Sequence, residues 1–156
     1  MSLHRITVTI NGSAEVVDVP ANMTLMTMLR DKLAMTGTKN GCAAGECGSC
    51  TVLWNGEPVN SCMVLAVECD GTEVVTVEGL MTDHQLDPIQ QTIIDAGGVQ
   101  CGFCTPGILI SARALLNRNP SPTEDEIKDA LRGNLCRCTG YQRIIAAVKD
   151  AAKAGG

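Results

Sequence analysis

The sequence predicts an α+β protein in which a small mixed sheet crossed by one helix precedes an all-α domain of four helices. Strand-like alternation and Asn-Gly turns are confined to the first half of the 156 residues. Helix caps and apolar residues at three- and four-residue spacing fill the second half. Nine cysteines form two main groups, and the composition, 45% hydrophobic and 19% charged, is that of a folded, soluble protein.

The first element is a predicted β-hairpin. Residues 4–10 place an apolar side chain at every second position, as a half-buried strand does. Asn11-Gly12 then supplies the two-residue turn that hairpins favour, before a second strand over residues 14–19.

An amphipathic helix follows this hairpin. Thr24 is a suitable N-cap, and the helix is predicted to end near Gly37. Its apolar face is formed by Leu25, Met28, Leu29 and Leu33.

Three more strands complete the predicted sheet. Asn55-Gly56 is a second hairpin turn, with strands over residues 51–54 and 59–63 on either side. A β-branched segment over residues 73–77 is the last strand.

Two helices begin the second half. Asp87-Pro88 combines a cap with a proline at the first helical position, and Gly97 ends that helix. Pro106 opens the next, and Asn119-Pro120 stops it.

Two further helices follow. The segment from Ser121 to Glu124 has the spacing of a capping box, and Gly133 closes the helix that it starts. Residues 141–154 form the last helix. We therefore expect one domain over residues 1–80 and a second, helical one over residues 81–156.

The first cysteine group has the spacing C-x4-C-x2-C, with one more cysteine across the second hairpin, as in plant-type 2Fe-2S ferredoxins. A loop that curls around an anionic cluster can solvate it with backbone N–H groups. Gly41, Gly45 and Gly48 are expected to allow the positive φ angles and close approach that such curling needs. The group comprises Cys42, Cys47, Cys50 and Cys62.

Zinc and disulfides are the alternatives for this group. A zinc ribbon prefers two separate C-x2-C knuckles, whereas here three ligands share one glycine-rich loop. The odd number of cysteines and their tight spacing disfavour disulfides.

The second cysteine group lies just before two predicted helices. Helix N-termini carry partial positive charge and free N–H groups, which would stabilise an anionic cluster. A C-x2-C pair with a distant C-x-C pair is equally compatible with zinc. The group comprises Cys101, Cys104, Cys136 and Cys138.

Three runs together carry a family resemblance: GCAAGECGSCTV, VQCGFCTPG and GNLCRCTGYQ. In that order and at those separations, the chain resembles the small iron–sulfur subunit of the molybdenum hydroxylases, the xanthine dehydrogenase and aldehyde oxidoreductase family. The resemblance implies a β-grasp ferredoxin-like 2Fe-2S domain, then a helical 2Fe-2S domain. It also implies that the two cysteine groups ligate two 2Fe-2S clusters.

The resemblance further implies cofactors and partners outside this chain. Molybdenum on a pyranopterin, expected as molybdopterin cytosine dinucleotide, would lie in a large subunit, and FAD in a medium one. Cys138 would be closest to the pterin, and Gln100 could hydrogen-bond it. The expected assembly is a hetero-oligomer, for example a dimer of heterotrimers.

The chain is therefore expected to carry electrons from molybdenum through two clusters to FAD or another acceptor, without an active site of its own. CO dehydrogenases of this family tend to have a different residue pattern in the first cysteine loop, so at residues 43–46 the resemblance implies an organic substrate, such as an N-heterocycle, a purine or an aldehyde. The alternatives are the small subunit of a CO dehydrogenase and a free two-cluster electron carrier.

The remaining features exclude other classes. A pI near 4.9 without a Lys/Arg cluster argues against nucleic acid and anionic membranes. No signal peptide or membrane anchor is visible, so we expect a cytoplasmic location. Cys69 matches neither group and is expected to have no role. Phe103 and Tyr141 are expected to keep water from the second group.

Overall fold

A computed structural model describes residues 2–155 of the chain. Its first half is a five-stranded sheet in the order β2-β1-β5-β3-β4. The β1–β5 pair is parallel and the other three pairs are antiparallel, so the predicted mixed sheet is confirmed. The strands are β1 (Leu3–Ile10), β2 (Ser13–Pro20), β3 (Thr51–Trp54), β4 (Glu57–Asn60) and β5 (Glu73–Val75).

Both predicted hairpin turns are present. Asn11 and Gly12 have φ angles of 50° and 84°, and Asn55 and Gly56 have 49° and 84°. Consecutive positive φ angles match the right-handed twist of the flanking strands, which is why Asn-Gly marks this turn.

Two strands end earlier than the alternation predicts. The strand expected over residues 73–77 stops at Val75 because the side chain of Asn11 accepts the N–H of Thr76 at 2.8 Å. The strand expected over residues 59–63 begins earlier, ends at Asn60, and continues as a 3-10 turn over Ser61–Met63.

The helix that packs on the sheet is shorter than predicted, and most of it is a π-helical turn, which is wider than an α-helix. Thr24 caps α1 (Leu25–Thr27) by accepting the N–H of Thr27 at 3.1 Å, and a π-helical turn, Met28–Lys32, continues it. The prediction that it reaches Gly37 is wrong, because Ala34 has a φ of 55°. The buried face packs on the sheet through Leu25, Met28 and Leu29.

The second half contains the four predicted helices. Thr123 and Glu126 form the capping box of the third of them, so the expected cap at Ser121 is wrong. Within residues 2–155, no helix is long and apolar enough to cross a membrane. The helices are α2 (Pro88–Asp95), α3 (Thr105–Arg118), α4 (Glu124–Leu131) and α5 (Gln142–Lys153).

The two halves share a packed interface. Leu53 of β3 is 5% exposed and belongs to the hydrophobic core that α2 to α5 form. A second core lies between the sheet and α1. The sheet therefore packs against both the α1 segment and the helical half. As a result, the loop of the first cysteine group contacts the segment that leads to Cys136 of the second.

Candidate metal centres

The structure brings the first cysteine group together in the loop between α1 and β3. The Cys42 thiol interacts directly with that of Cys47. The Cys62 thiol interacts directly with that of Cys50 and also lies within electrostatic range of Cys42. The four residues predicted as ligands are therefore neighbours in space.

The backbone of this loop is arranged to stabilise a thiolate. The sulfur of Cys42 accepts N–H groups from Ala44 at 3.3 Å and from Glu46 and Cys47 at 3.4 Å each. These bonds, led by the one from Cys47, lower the pKa of Cys42 from 9.0 to about 6. The predicted curling of backbone N–H groups around anionic sulfur is observed.

The expected glycine geometry is observed at two of the three positions. Gly45 and Gly48 have φ angles of 73° and 72°, whereas the third left-handed residue of the loop is Ala43, at 52°. Gly41 is needed for close approach instead, since a Cβ there would lie 2.8 Å from the sulfur of Cys47.

The 3-10 turn after β4 contains Cys62, the last cysteine of the first group. The N–H of Ser61 binds the carbonyl oxygen of Cys50 at 3.3 Å, and the Asn60 side chain donates to the carbonyl oxygen of Gly45 at 2.9 Å. Burial raises the pKa of Cys62 to about 11, so this thiol must lose a proton when it binds metal.

The second group consists of two neighbouring pairs of thiols. The Cys101 thiol interacts directly with that of Cys138, and this interaction raises the pKa of Cys138. The Cys104 thiol interacts directly with that of Cys136. Burial raises the pKa of Cys104, the N-cap of α3, to about 12.

A nearby hydroxyl has the opposite effect on Cys136. Burial alone would raise the pKa of its thiol, but hydrogen bonds, led by one from Thr139, outweigh burial and lower it. The sulfur of Cys136 lies 3.0 Å from the Thr139 hydroxyl. This part of the second group is therefore also built to hold negative charge.

The arrangement of the thiols bears on which metal group they could hold. One cavity is lined by all four cysteines of the second group, and Cys50 and Cys62 of the first group pack together. Four thiols per group fit a two-iron cluster, with two thiolates for each iron. The donor set is therefore compatible with 2Fe-2S clusters.

The second group lies at an exposed apolar surface. Cys101 and Cys138 are exposed, as is the predicted pterin contact Gln100. Phe103 and Leu135 are 47% and 59% exposed and line a cavity with cysteines of this group. Phe103 lies against these cysteines and is itself partly exposed, so its shielding of the group from water stays a prediction.

Several polar residues around the groups escaped prediction. Ser49 places its hydroxyl 3.2 Å from the sulfur of Cys47, and the Tyr141 hydroxyl accepts the N–H of Cys136 at 2.7 Å. Ser49 lies within the C-x2-C pair of Cys47 and Cys50, and Thr139 directly follows Cys138; those positions are the signal that could have found them. Asn134 has no such signal, because only the tertiary structure reveals its partners.

Comparison with known proteins identifies the family. Residues 8–74 match the 2Fe-2S iron-sulfur cluster binding domain, and residues 76–149 match the [2Fe-2S] binding domain. The small FeS subunit of nicotinate dehydrogenase from Eubacterium barkeri is 47% identical over 94% of this chain and 93% of its own length. The chain belongs to the small iron–sulfur subunits of the molybdenum hydroxylases.

Other members of this small-subunit family agree in sequence and structure. The nicotine 6-hydroxylase small subunit from Paenarthrobacter nicotinovorans is 50% identical over 94% of this chain and 88% of its own. A chain of quinoline 2-oxidoreductase from Pseudomonas putida 86 superposes with a TM-score of 0.96 at 46% identity, over 99% of this chain and 97% of its own. The small subunit is thus part of an oxidoreductase complex whose active site lies in the large subunit.

Proposed function

We propose that this small subunit relays electrons from a molybdenum centre in the large subunit to FAD or another acceptor. The observation that carries the proposal is the presence of two separate groups of four cysteines. In the first group, Cys50 and Cys62 pack together and the sulfur of Cys42 accepts the N–H of Cys47; in the second, all four cysteines line one cavity. A 2Fe-2S cluster bound at each group supplies one-electron redox chemistry. The ligands of the first cluster are Cys42, Cys47, Cys50 and Cys62, and those of the second are Cys101, Cys104, Cys136 and Cys138.

The substrate class is an organic N-heterocycle or aldehyde. The names of the relatives support this assignment, since they refer to nicotinate, nicotine and quinoline enzymes. The substrate itself binds outside this chain.

The partner that holds molybdenum docks at the second cysteine group. The exposed side chains of Phe103 and Leu135 there form an apolar surface of the kind that a protein partner covers. In that complex Gln100 and Cys138, both exposed beside this surface, contact the pterin of a molybdopterin cytosine dinucleotide. The first group then faces the acceptor, held as FAD in a medium subunit of the same hetero-oligomer.

The domain boundary follows from the same assignment. We place the ferredoxin-like domain at residues 1–80 and the helical domain at residues 81–156. The short 3-10 helix Val77–Leu80 lies between the last strand and the segment leading to α2, which supports a division at its end.

Metal analysis and spectroscopy of the anaerobically purified full chain test the proposal. We expect about four irons and four sulfides per chain, and two distinct EPR signals after reduction. Cys47→Ser should abolish one signal and Cys104→Ser the other. Stoichiometric zinc, or a single cluster, contradicts the assignment.

Cys69→Ala is the matched control for these substitutions. Cys69 is as buried as the ligand Cys62, at 0% against 7% exposure, yet it belongs to neither group. This variant should retain both EPR signals and the full iron content. Co-purification with a molybdenum-containing subunit tests the relay itself, and recovery only as a free monomer contradicts it.

A further inference from the structure

The buried side chain of Asn134 connects the two cysteine groups. Asn134 is 3% exposed and lies two positions before Cys136 of the second group. Its amide nitrogen donates to the carbonyl oxygen of Gly48 at 3.1 Å and to the hydroxyl of Thr51 at 3.3 Å. Gly48 lies between two ligands of the first group, so one amide reaches from one site into the loop of the other.

The backbones also meet at this point. The N–H of Leu135 donates to the carbonyl oxygen of Cys47 at 2.9 Å. A Cβ at Gly48 would lie 2.1 Å from the carbonyl oxygen of Gly133, and a Cβ at Gly107 would lie 2.1 Å from that of Gly48. The contact has no room for added side-chain atoms, because backbone packs directly on backbone. We call this contact the joint; it comprises Cys47, Gly48, Thr51, Gly107, Gly133, Asn134 and Leu135.

The other end of Asn134 is tied to the second group. Its carbonyl oxygen accepts the Tyr141 hydroxyl at 2.9 Å, and that hydroxyl accepts the N–H of Cys136 at 2.7 Å. The side chain of Asn134 therefore holds the loop of the first group while its backbone is fixed relative to a ligand of the second. Removing the amide donor takes away a side-chain bond to this loop, while the Gly48 carbonyl oxygen keeps its two bonds from Thr51.

We propose that Asn134 is a positioning residue that sets the distance and orientation between the two cluster sites. This inference rests on the proposed function, since it requires both clusters. Electron transfer and magnetic interaction between two paramagnetic centres both depend steeply on separation. A joint held by one buried amide and one backbone hydrogen bond keeps that separation uniform across the molecules of a sample.

The test replaces Asn134 by leucine, which has a similar size and no donor, in the full chain loaded with iron and sulfide. With both clusters reduced, the low-temperature EPR spectrum of the wild type should show a magnetic splitting that Cys104→Ser, with one cluster, lacks. Asn134→Leu should lose or broaden this splitting while each cluster keeps its own g values. Spectra at partial reduction separate the individual signals from their interaction.

Asn119→Leu is the matched control. Asn119 belongs to the same helical half, but among the described residues its side chain bonds to Glu126, at 3.2 Å, and to the N–H of Ser121, at 3.1 Å, and not to the first cysteine loop. The same chemical change far from the joint should leave the splitting as it is in the wild type. If Asn119→Leu also removed it, the effect would be one of general stability and the inference would be overturned.

Each of the remaining outcomes also supports or overturns the inference about Asn134. An unchanged splitting in Asn134→Leu, with both clusters present, overturns the inference and leaves the proposed function intact. If that variant loses iron, Thr51→Val, which removes only the hydroxyl at the joint, is measured in its place. A narrowed splitting then supports the inference and an unchanged one overturns it. Absence of either cluster from the wild type overturns the proposed function itself.

Discussion

The hydroxyl of Tyr141 lies 2.7 Å from the backbone nitrogen of Cys136 and accepts its hydrogen bond. Tyr141 itself has a φ of 68°, a left-handed conformation that a bulky residue rarely adopts. A strained backbone beside the second cysteine group indicates that the surrounding contacts hold it there. This bond anchors the second cysteine group.

Tyr141→Phe tests this anchor. The substitution removes the acceptor of the Cys136 N–H and the donor to the Asn134 carbonyl oxygen, and we expect the protein to lose about 1–3 kcal/mol of stability. The urea midpoint for bleaching of the visible absorbance measures the loss. An unchanged midpoint would show that water replaces the hydroxyl without cost.

Gly48→Ala tests the close packing of the joint. The added Cβ would meet the Gly133 carbonyl oxygen at 2.1 Å, on a backbone with a φ of 72°. We expect a destabilisation of about 3–5 kcal/mol from overpacking and strain together, measured by thermal bleaching.

Gly56→Ala separates the two causes of the Gly48→Ala effect. Gly56 also has a positive φ, of 84°, but nothing lies within 4 Å of the position of its Cβ. Gly56→Ala should therefore lower the free energy of unfolding only by the cost of a side chain at positive φ, about 1–2 kcal/mol. Equal effects of the two substitutions would show that the close contact relaxes freely.

Asp87→Asn tests a buried ion pair at the start of α2. Arg113 donates to Asp87 at 2.5 Å, and the two side chains are only 12% and 15% exposed. Breaking such a pair leaves an uncompensated buried charge, so we expect a loss of about 3–5 kcal/mol by urea unfolding. The Nε atom of Arg113 already lacks a partner within residues 2–155, which makes this loss harder to compensate.

The ion pair between Arg5 and Asp18 is the control. Its side chains are 74% and 45% exposed, so Arg5→Met should leave the free energy of unfolding nearly unchanged, because water and salt screen an exposed pair. If Asp87→Asn and Arg5→Met lost the same free energy of unfolding, the surroundings of Arg113 would have to rearrange and compensate its charge.

Cys69 predicts a pH dependence of stability. Burial raises the pKa of its thiol from 9.0 to about 11, so the unfolded chain releases this proton at a lower pH than the folded one. The stabilisation is complete below pH 9 and is lost as the pH rises through 11. Across this interval, the free energy of unfolding in urea should fall more steeply for the wild type than for Cys69→Ala. If it fell equally for both proteins, burial of the Cys69 thiol would not be the cause.

Elements fixed by local chemistry were predictable from the sequence. The Asn-Gly turns, the Thr24 cap and the Asp87-Pro88 helix start each depend on one or two residues and their immediate neighbours. The glycines and cysteines within GCAAGECGSC likewise predict the curled loop whose N–H groups point at the sulfur of Cys42.

Features decided by distant partners were not predictable. The last strand is cut short by Asn11, 65 positions earlier in the chain. The left-handed φ falls on Ala43 and not on Gly41, whose lack of a side chain instead makes room for Cys47 and Ser49. Asn134 looks like an ordinary loop residue until its contact with Gly48, 86 positions away, is seen.

The distance along the chain between Gly48 and Asn134 bears on biosynthesis. The loop that holds the first cysteine group leaves the ribosome before Asn134 and Leu135, which bond its carbonyl oxygens, have been synthesised. These bonds therefore form only after translation has passed through the helical half as far as Leu135.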